Sequence, residues 1–232
     1  MRASDLPDIR SLKLFASMTD NSFEDLIRAA YLQNFPGQLE LIREGDPADF
    51  LYIVLDGSVE LFGRSNGRES SLAVVKPIGS FILAAVLKDA VYLMSARTLE
   101  HSKLLMIPSE NVRNAFNDDE NFSRAIVEEL ANCYRSVVKE HKSLKLRTAV
   151  ERLANRLLKI NEDQGNNGSI ELPYDKKILA SLLGMTPENL SRAFNTLKPY
   201  GVRVDGPKIT LDDIDSLLVL AKPNKLIDDR NT

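Results

Sequence analysis

The chain has 232 residues, an ordinary apolar share of 44% and a net charge of −3. That suffices to bury a core in one large or two smaller domains, and it is too acidic for an unspecific nucleic-acid coat. A single cysteine, Cys133, excludes a disulfide framework and any iron–sulfur or zinc site made from several cysteines of one chain.

The opening residues, MRASDLPDIR, carry no apolar signal region. Residues 1 to about 35 read as helical, with Phe23, Leu26, Ile27, Ala30 and Tyr31 on one stripe behind a cap at Asp20 or Asn21. From Pro36 the period changes to two. Short strand patterns follow at Leu39–Leu41, Phe50–Leu55, Val59–Leu61 and Leu72–Val75, each closed by turn residues such as Asp56-Gly57 and Asn66-Gly67. Such spacing suggests a sandwich or jelly roll, with Leu104–Ile107 as its last strand. The most apolar tract, Phe81 to Met94, is broken by Lys88 and Asp89 and is too short to span a bilayer. A soluble cytoplasmic protein is expected.

Next comes a long helix. Phe122, Ile126, Leu130, Cys133, Val137, His141 and Leu144 recur in steps of 4, 4, 3, 4, 4 and 3, an apolar seam at coiled-coil spacing that predicts a parallel homodimer. Lys139, Lys142, Lys145, Arg147, Arg152, Arg156 and Lys159 concentrate positive charge here, as a DNA binder of acidic net charge requires. Arg147 to Ile160 forms a further amphipathic helix, and QGNNGS at 164–169 a loop before the strand-like Ile170–Leu172.

Tyr174 to Arg203 then holds two short helical patterns around Gly184. Thr186-Pro187-Glu188 starts the second: a Thr cap, Pro at the first helical position and an acid in the first turn. Leu190, Phe194 and Leu197 face inward, while Glu188, Asn189, Ser191, Arg192 and Asn195 face out. This is the spacing of a helix-turn-helix, whose second helix enters the DNA major groove with its N-terminal residues at base edges. Arg192 can fork onto guanine and Glu188 can accept from cytosine. Asp205-Gly206 signals a hairpin, a wing that brings Arg203 and Lys208 to the phosphates. On a dimer the two reading helices would lie about 34 Å apart, as a palindromic site demands.

A jelly roll, a dimer helix and a winged helix-turn-helix in this order resemble the CRP/FNR family of bacterial transcription regulators. Arg43-Glu44-Gly45-Asp46-Pro47-Ala48, Leu51–Val54, Asp56-Gly57-Ser58-Val59 and Thr186–Arg192 carry the likeness. It implies an α+β fold of three parts: a roll-type sensor domain with N-terminal helices at 1–117, a dimerisation helix at 118–145 and a winged DNA-binding domain at 146–232. The segment Thr186, Pro187, Glu188, Asn189, Ser191 and Arg192 looks like the FNR branch's reading helix for a TTGA-type half-site. An activator's contacts with RNA polymerase are also implied, though no residue identifies them.

The departures from the family concern the effector. Cyclic-AMP-binding members carry a Gly-Glu pair and an Arg-Ser or Arg-Thr pair. Ala84 falls near the expected Glu here and Tyr92 near the expected Arg, and Arg97, the nearest cation, lies beyond the usual place. A phosphate buried there would lack its counter-charge, so cyclic AMP is not the expected signal. Phe81, Leu83, Ala84, Tyr92, Met94 and Arg97 outline an effector pocket of mainly apolar character. The pattern is similar to the nitric-oxide-responsive DNR/NnrR-like branch, which implies haem, with His101 and His141 as candidate ligands. Plain core with no effector, and a cyclic-nucleotide sensor with an atypical pocket, are the alternatives. An enzyme on this roll would need clustered metal ligands, and two histidines far apart do not supply them.

Overall fold

A computed structural model describes residues 5–229. Its contacts fall into two units, residues 1–134 and 135–232, each with its own apolar core. The division falls inside the longest helix, so that helix is not a separate part between two domains: its first half packs with the roll.

The first unit opens with α1 (Leu6–Arg10) and α2 (Asp20–Arg28). The cap of α2 is Thr19, not Asp20 or Asn21, and its hydroxyl accepts from the Ser22 N–H. Helix does not continue to residue 35. The chain turns at Ala29, and Tyr31 to Phe35 form β1, paired in antiparallel register with Ser102–Met106. Tertiary pairing overrides a helical stripe too short to hold by itself.

Two four-stranded antiparallel sheets follow, made by β2 (Glu40–Ile42), β3 (Phe50–Asp56), β4 (Val59–Ser65), β5 (Arg68–Val75), β6 (Ser80–Phe81), β7 (Ser95–Thr98) and β8 (Ser102–Pro108). Their orders are β1-β8-β3-β6 and β2-β7-β4-β5. Leu51 opposes Ile107 and Ile53 opposes Leu105, and all four side chains are buried. β7 went unread in the sequence because Arg97 interrupts a four-residue strand, yet it sits between β2 and β4. The apolar tract at 81–94 is no continuous core segment: it is broken into β6, helix α3 (Leu83–Lys88) and a loop. Ile82 enters α3 at φ +71°, a region that β-branched residues rarely occupy.

Helix α4 (Ser109–Asp118) leads to α5 (Glu120–Leu146). Asp119 stands between them, buried, accepting from the N–H of Phe122 at 3.0 Å and from the N–H and hydroxyl of Thr19 at 2.9 Å. One carboxylate therefore caps α5 and ties down the start of α2. Burial alone would raise its pKa, but these N–H and hydroxyl donors prevail and bring it down to about 2.

The expected dimer seam is partly corrected. Phe122 and Ile126 are fully buried in the roll's core, where Phe122 stacks on Phe15 at 6.2 Å, and Leu130 lies half-buried against the same core. Cys133, Val137, His141 and Leu144 are exposed, but so are Val127 and Tyr134, the latter 71% exposed. Val127, Leu130, Tyr134, Val137, His141 and Leu144 step by 3, 4, 3, 4 and 3, a regular heptad offset from the predicted stripe. The sequence holds two overlapping stripes, and the roll claims the beginning of one.

In the second unit, α6 (Ala149–Asp163) begins two residues later than Arg147, because Thr148 and Glu151 close a capping box on its first turn. Then come β9 (Ser169–Glu171), α7 (Lys176–Leu182), α8 (Pro187–Leu197), β10 (Val202–Asp205), β11 (Lys208–Leu211), α9 (Ile214–Ala221) and α10 (Lys225–Asp228). The three strands form one sheet in the order β10-β11-β9. Leu153, Leu157, Leu179, Leu190, Phe194, Leu197 and Ile209 share its core.

Candidate nucleic-acid interface

Thr186 caps α8 as the sequence predicts, its hydroxyl accepting from the Asn189 N–H at 3.3 Å, and Pro187 occupies the first helical position. Leu190, Ala193, Phe194 and Leu197 are buried and fix the rotation of the helix. Thr186, Pro187, Glu188, Asn189, Ser191 and Arg192 are consequently all exposed. Gly184 adopts φ +61° in the turn, where an added Cβ would come within 2.8 Å of Leu144 Cδ2. The turn needs glycine for its conformation, since the Leu144 side chain could move aside for a Cβ.

Glu188 and Arg192 lie one helical turn apart. The Thr186 hydroxyl, then the residue's own N–H, hold the Glu188 carboxyl below its usual range, and the Arg192 charge adds to this. Glu188 therefore stays ionised as an acceptor. Beside it Arg192 offers a fork of N–H donors and Ser191 a hydroxyl that gives or accepts.

The wing forms, one residue later than predicted. Asp205 pairs with Lys208, so the two-residue loop is Gly206-Pro207 rather than Asp205-Gly206. Proline cannot take positive φ, so the turn is of the type with glycine first, and Gly206 has φ +57°. Lys208 is exposed at the wing. Arg203 is exposed too, but its guanidinium is bonded to Asp212 at 2.7 Å. A phosphate would have to compete with that carboxylate.

Four of the seven cations in the basic stretch before the helix-turn-helix are engaged within the fold. Arg147 is bonded to Asp228, Arg156 to Glu140 at 3.2 Å, and Lys139 to the Asp229 carbonyl at 2.7 Å. Arg152 donates to the carbonyls of Leu183 and Arg147. These cations hold the unit together, a role that spacing alone did not reveal.

The expected effector residues also find partners within the roll. Arg97 is bonded to Glu60 at 2.7 Å and Glu69 at 2.8 Å and lies over the Phe62 ring. It is no spare counter-charge for a phosphate. Phe81 stacks on Tyr52 at 5.0 Å. The buried Tyr92 hydroxyl accepts from the Asp49 N–H at 3.2 Å, and burial pushes its pKa up, so it brings no charge. Leu83 is buried, Met94 half-buried and Ala84 exposed. His101 lies exposed on the turn between β7 and β8, and His141 exposed on α5. Both face solvent, which is not the enclosed apolar setting of a haem buried within one chain. Among the described residues no group of three potential metal ligands occurs, and no helix is long and apolar enough to cross a membrane.

The family model of the cyclic nucleotide-binding domain matches residues 32–119, and that of the Crp-like helix-turn-helix domain matches residues 151–220. The CRP-like cAMP-activated global transcriptional regulator of Mycobacterium tuberculosis is 22% identical over 210 residues, covering 88% of this chain and 94% of the relative. Among solved structures, a candidate cAMP-binding regulatory protein from Silicibacter pomeroyi DSS-3 is 29% identical with a TM-score of 0.61, over 90% of this chain and 94% of the other. DNR from Pseudomonas aeruginosa shares the fold, with 23% identity and a TM-score of 0.52 over 95% and 99% of the two chains. Both family models describe regulator modules and not an enzyme. With a roll of the cyclic nucleotide-binding type followed by a Crp-like helix-turn-helix, the chain is a DNA-binding transcription regulator of the CRP/FNR family.

Proposed function

We propose that the protein works as a cytoplasmic homodimer that reads a palindromic site with TTGA-like half-sites, acting as an activator through RNA polymerase, under a signal other than cyclic AMP. One observation carries the reading: a capped, rotationally fixed α8 presents Glu188, Ser191 and Arg192 together on its exposed face. That is a donor and acceptor set suited to G·C and neighbouring pairs in the major groove. The largely exposed heptad from Val127 to Leu144 supports self-association, because a row of mainly apolar side chains at this spacing buries itself best against its own copy.

Fluorescence anisotropy tests the reading. A duplex with two inverted half-sites should bind with two chains, and far more tightly than one with a single half-site. Equal affinity for scrambled and palindromic duplexes contradicts it.

A cyclic-nucleotide sensor with an atypical pocket is the second reading, favoured by the family match at 32–119 and by the cAMP-activated relative. Against it stand Ala84 and Tyr92 at the expected acid and arginine, and the engagement of Arg97 by two carboxylates. Calorimetry with cyclic AMP and cyclic GMP decides between them: heat with either nucleotide favours the sensor. The exposure of both histidines argues against a nitric-oxide response through haem, and an unshifted Soret band after mixing with haem is the expected result.

A further inference from the structure

A cleft of about 120 Å³ lies within the second unit, under the C-terminal helix α10. Its wall carries Lys139, Arg147, Arg152, Arg156 and Lys159, against only two carboxylates, Glu140 and Asp228. Arg147 joins the end of α5 to the Thr148 cap of α6, and its side chain is 8% exposed. It donates through both terminal nitrogens to Asp228, one bond measuring 2.8 Å. Nearby Arg152 is part-buried and bonded only to backbone carbonyls, at 2.8 Å to Leu183 and 2.7 Å to Arg147. Carbonyl dipoles take up two of its N–H groups without balancing its charge. A desolvated cation with no bonded counter-ion favours the arrival of an anion.

Size and depth narrow the class. One water needs about 10–15 Å³ on this measure, so the cleft has room for a small group and its hydration waters. That suits a small tetrahedral oxyanion, and falls below the roughly 300 Å³ where pockets for larger organic ligands begin. Arg147 is too deep to reach a duplex backbone. Guanidinium forks favour oxygens in pairs, and the Asp228 carboxylate already shows the mode: two oxygens accepting from one fork.

We propose that the cleft binds a small inorganic oxyanion of the phosphate type, for which Asp228 is the built-in stand-in, and that the ion displaces Asp228 and frees α10. The segment at stake is short. Asp228 on Arg147 and the Asp229 carbonyl on Lys139 are among its bonds to the helices beneath. Once an oxyanion takes the Arg147 fork, the first of these is lost. The inference stands on this cleft alone and does not depend on the reading of the DNA site.

The test uses the full chain with inorganic phosphate, against chloride at matched ionic strength. Phosphate should raise Tm by about 3–6 °C at ten times its Kd, and hydrogen exchange at residues 225–228 should speed up. Arg152→Gln should abolish the Tm shift. Asp228→Asn, which keeps the side chain's shape but loses its charge, should bind phosphate about tenfold more tightly. Arg192→Ala should leave the shift intact. No difference between phosphate and chloride overturns the proposal. So does a shift that survives Arg152→Gln, or one that vanishes with Arg192→Ala, since the ion would then sit on the DNA-reading face. A Tm shift with unchanged exchange at 225–228 overturns the displacement.

Discussion

In the roll, the buried Glu60 (1% exposed) is bonded to Arg97, Arg97 to Glu69, Glu69 to Arg64 and Arg64 to Glu40, while Ser71 donates to the other oxygen of Glu60. On α8, Glu188, Ser191 and Arg192 stand in solvent, supported only by their own helix. Both regions hold charge close together. In the first every charge answers another within the fold, and removing Arg97 leaves the buried Glu60 without its cation. In the second the charges answer only each other and the first turn of their own helix, and they stand in solvent where a partner can reach them. A closed network reports on stability and an open face on recognition.

The largest expected effect belongs to the closed network. Arg97→Ala leaves Glu60 without its guanidinium in a buried place and should cost about 3–5 kcal/mol in a urea melt. A loss under about 0.5 kcal/mol would reduce the network to a surface pairing. Asp119 gives a pH handle on the same unit. Its folded pKa of about 2 lies below the ordinary 3.8, so its contribution is complete above roughly pH 4 and is lost as pH falls through 2. By linkage this amounts to about 2 kcal/mol. Acid titration of Asp119→Ala should show a correspondingly shallower slope between pH 4 and 2, and an identical slope would remove Asp119 from the account.

On the open face the signs reverse. Arg192→Ala should leave the melt within about 0.5 kcal/mol of the parent, yet lose roughly 1–3 kcal/mol of preference for the G·C pair that it reads. Selected-site sequencing that returns the same consensus for both proteins would deny it that role. Lys208→Ala is the mildest change: binding should weaken evenly across sequences, and the salt slope should fall by about one. A loss confined to one sequence would assign Lys208 to bases and not to phosphates.

Much of this was legible beforehand because it is written in local chemistry. The Thr186-Pro187-Glu188 start, the 3.6-residue stripe of Leu190, Phe194 and Leu197, and the period-two runs at 50–55 and 59–61 depend on neighbours a few residues away. What escaped depends on distant partners. Asp119 caps α5 while bonding Thr19, a hundred residues away. The basic run at 139–159 read as a DNA surface until Asp228, Asp229 and Glu140 were found on it. The seam on α5 held two overlapping stripes, and only the packing of Phe122 and Ile126 on the roll chose between them.

The sequence by itself determined the order of the modules and the cap and exposed face of the reading helix. Both follow from residue type and short-range period. Only the tertiary structure decided which charges are free, because a charge is free or engaged according to what folds against it. The chain carries no local mark of the contact that brings Glu60 to Arg97 or Asp228 to Arg147.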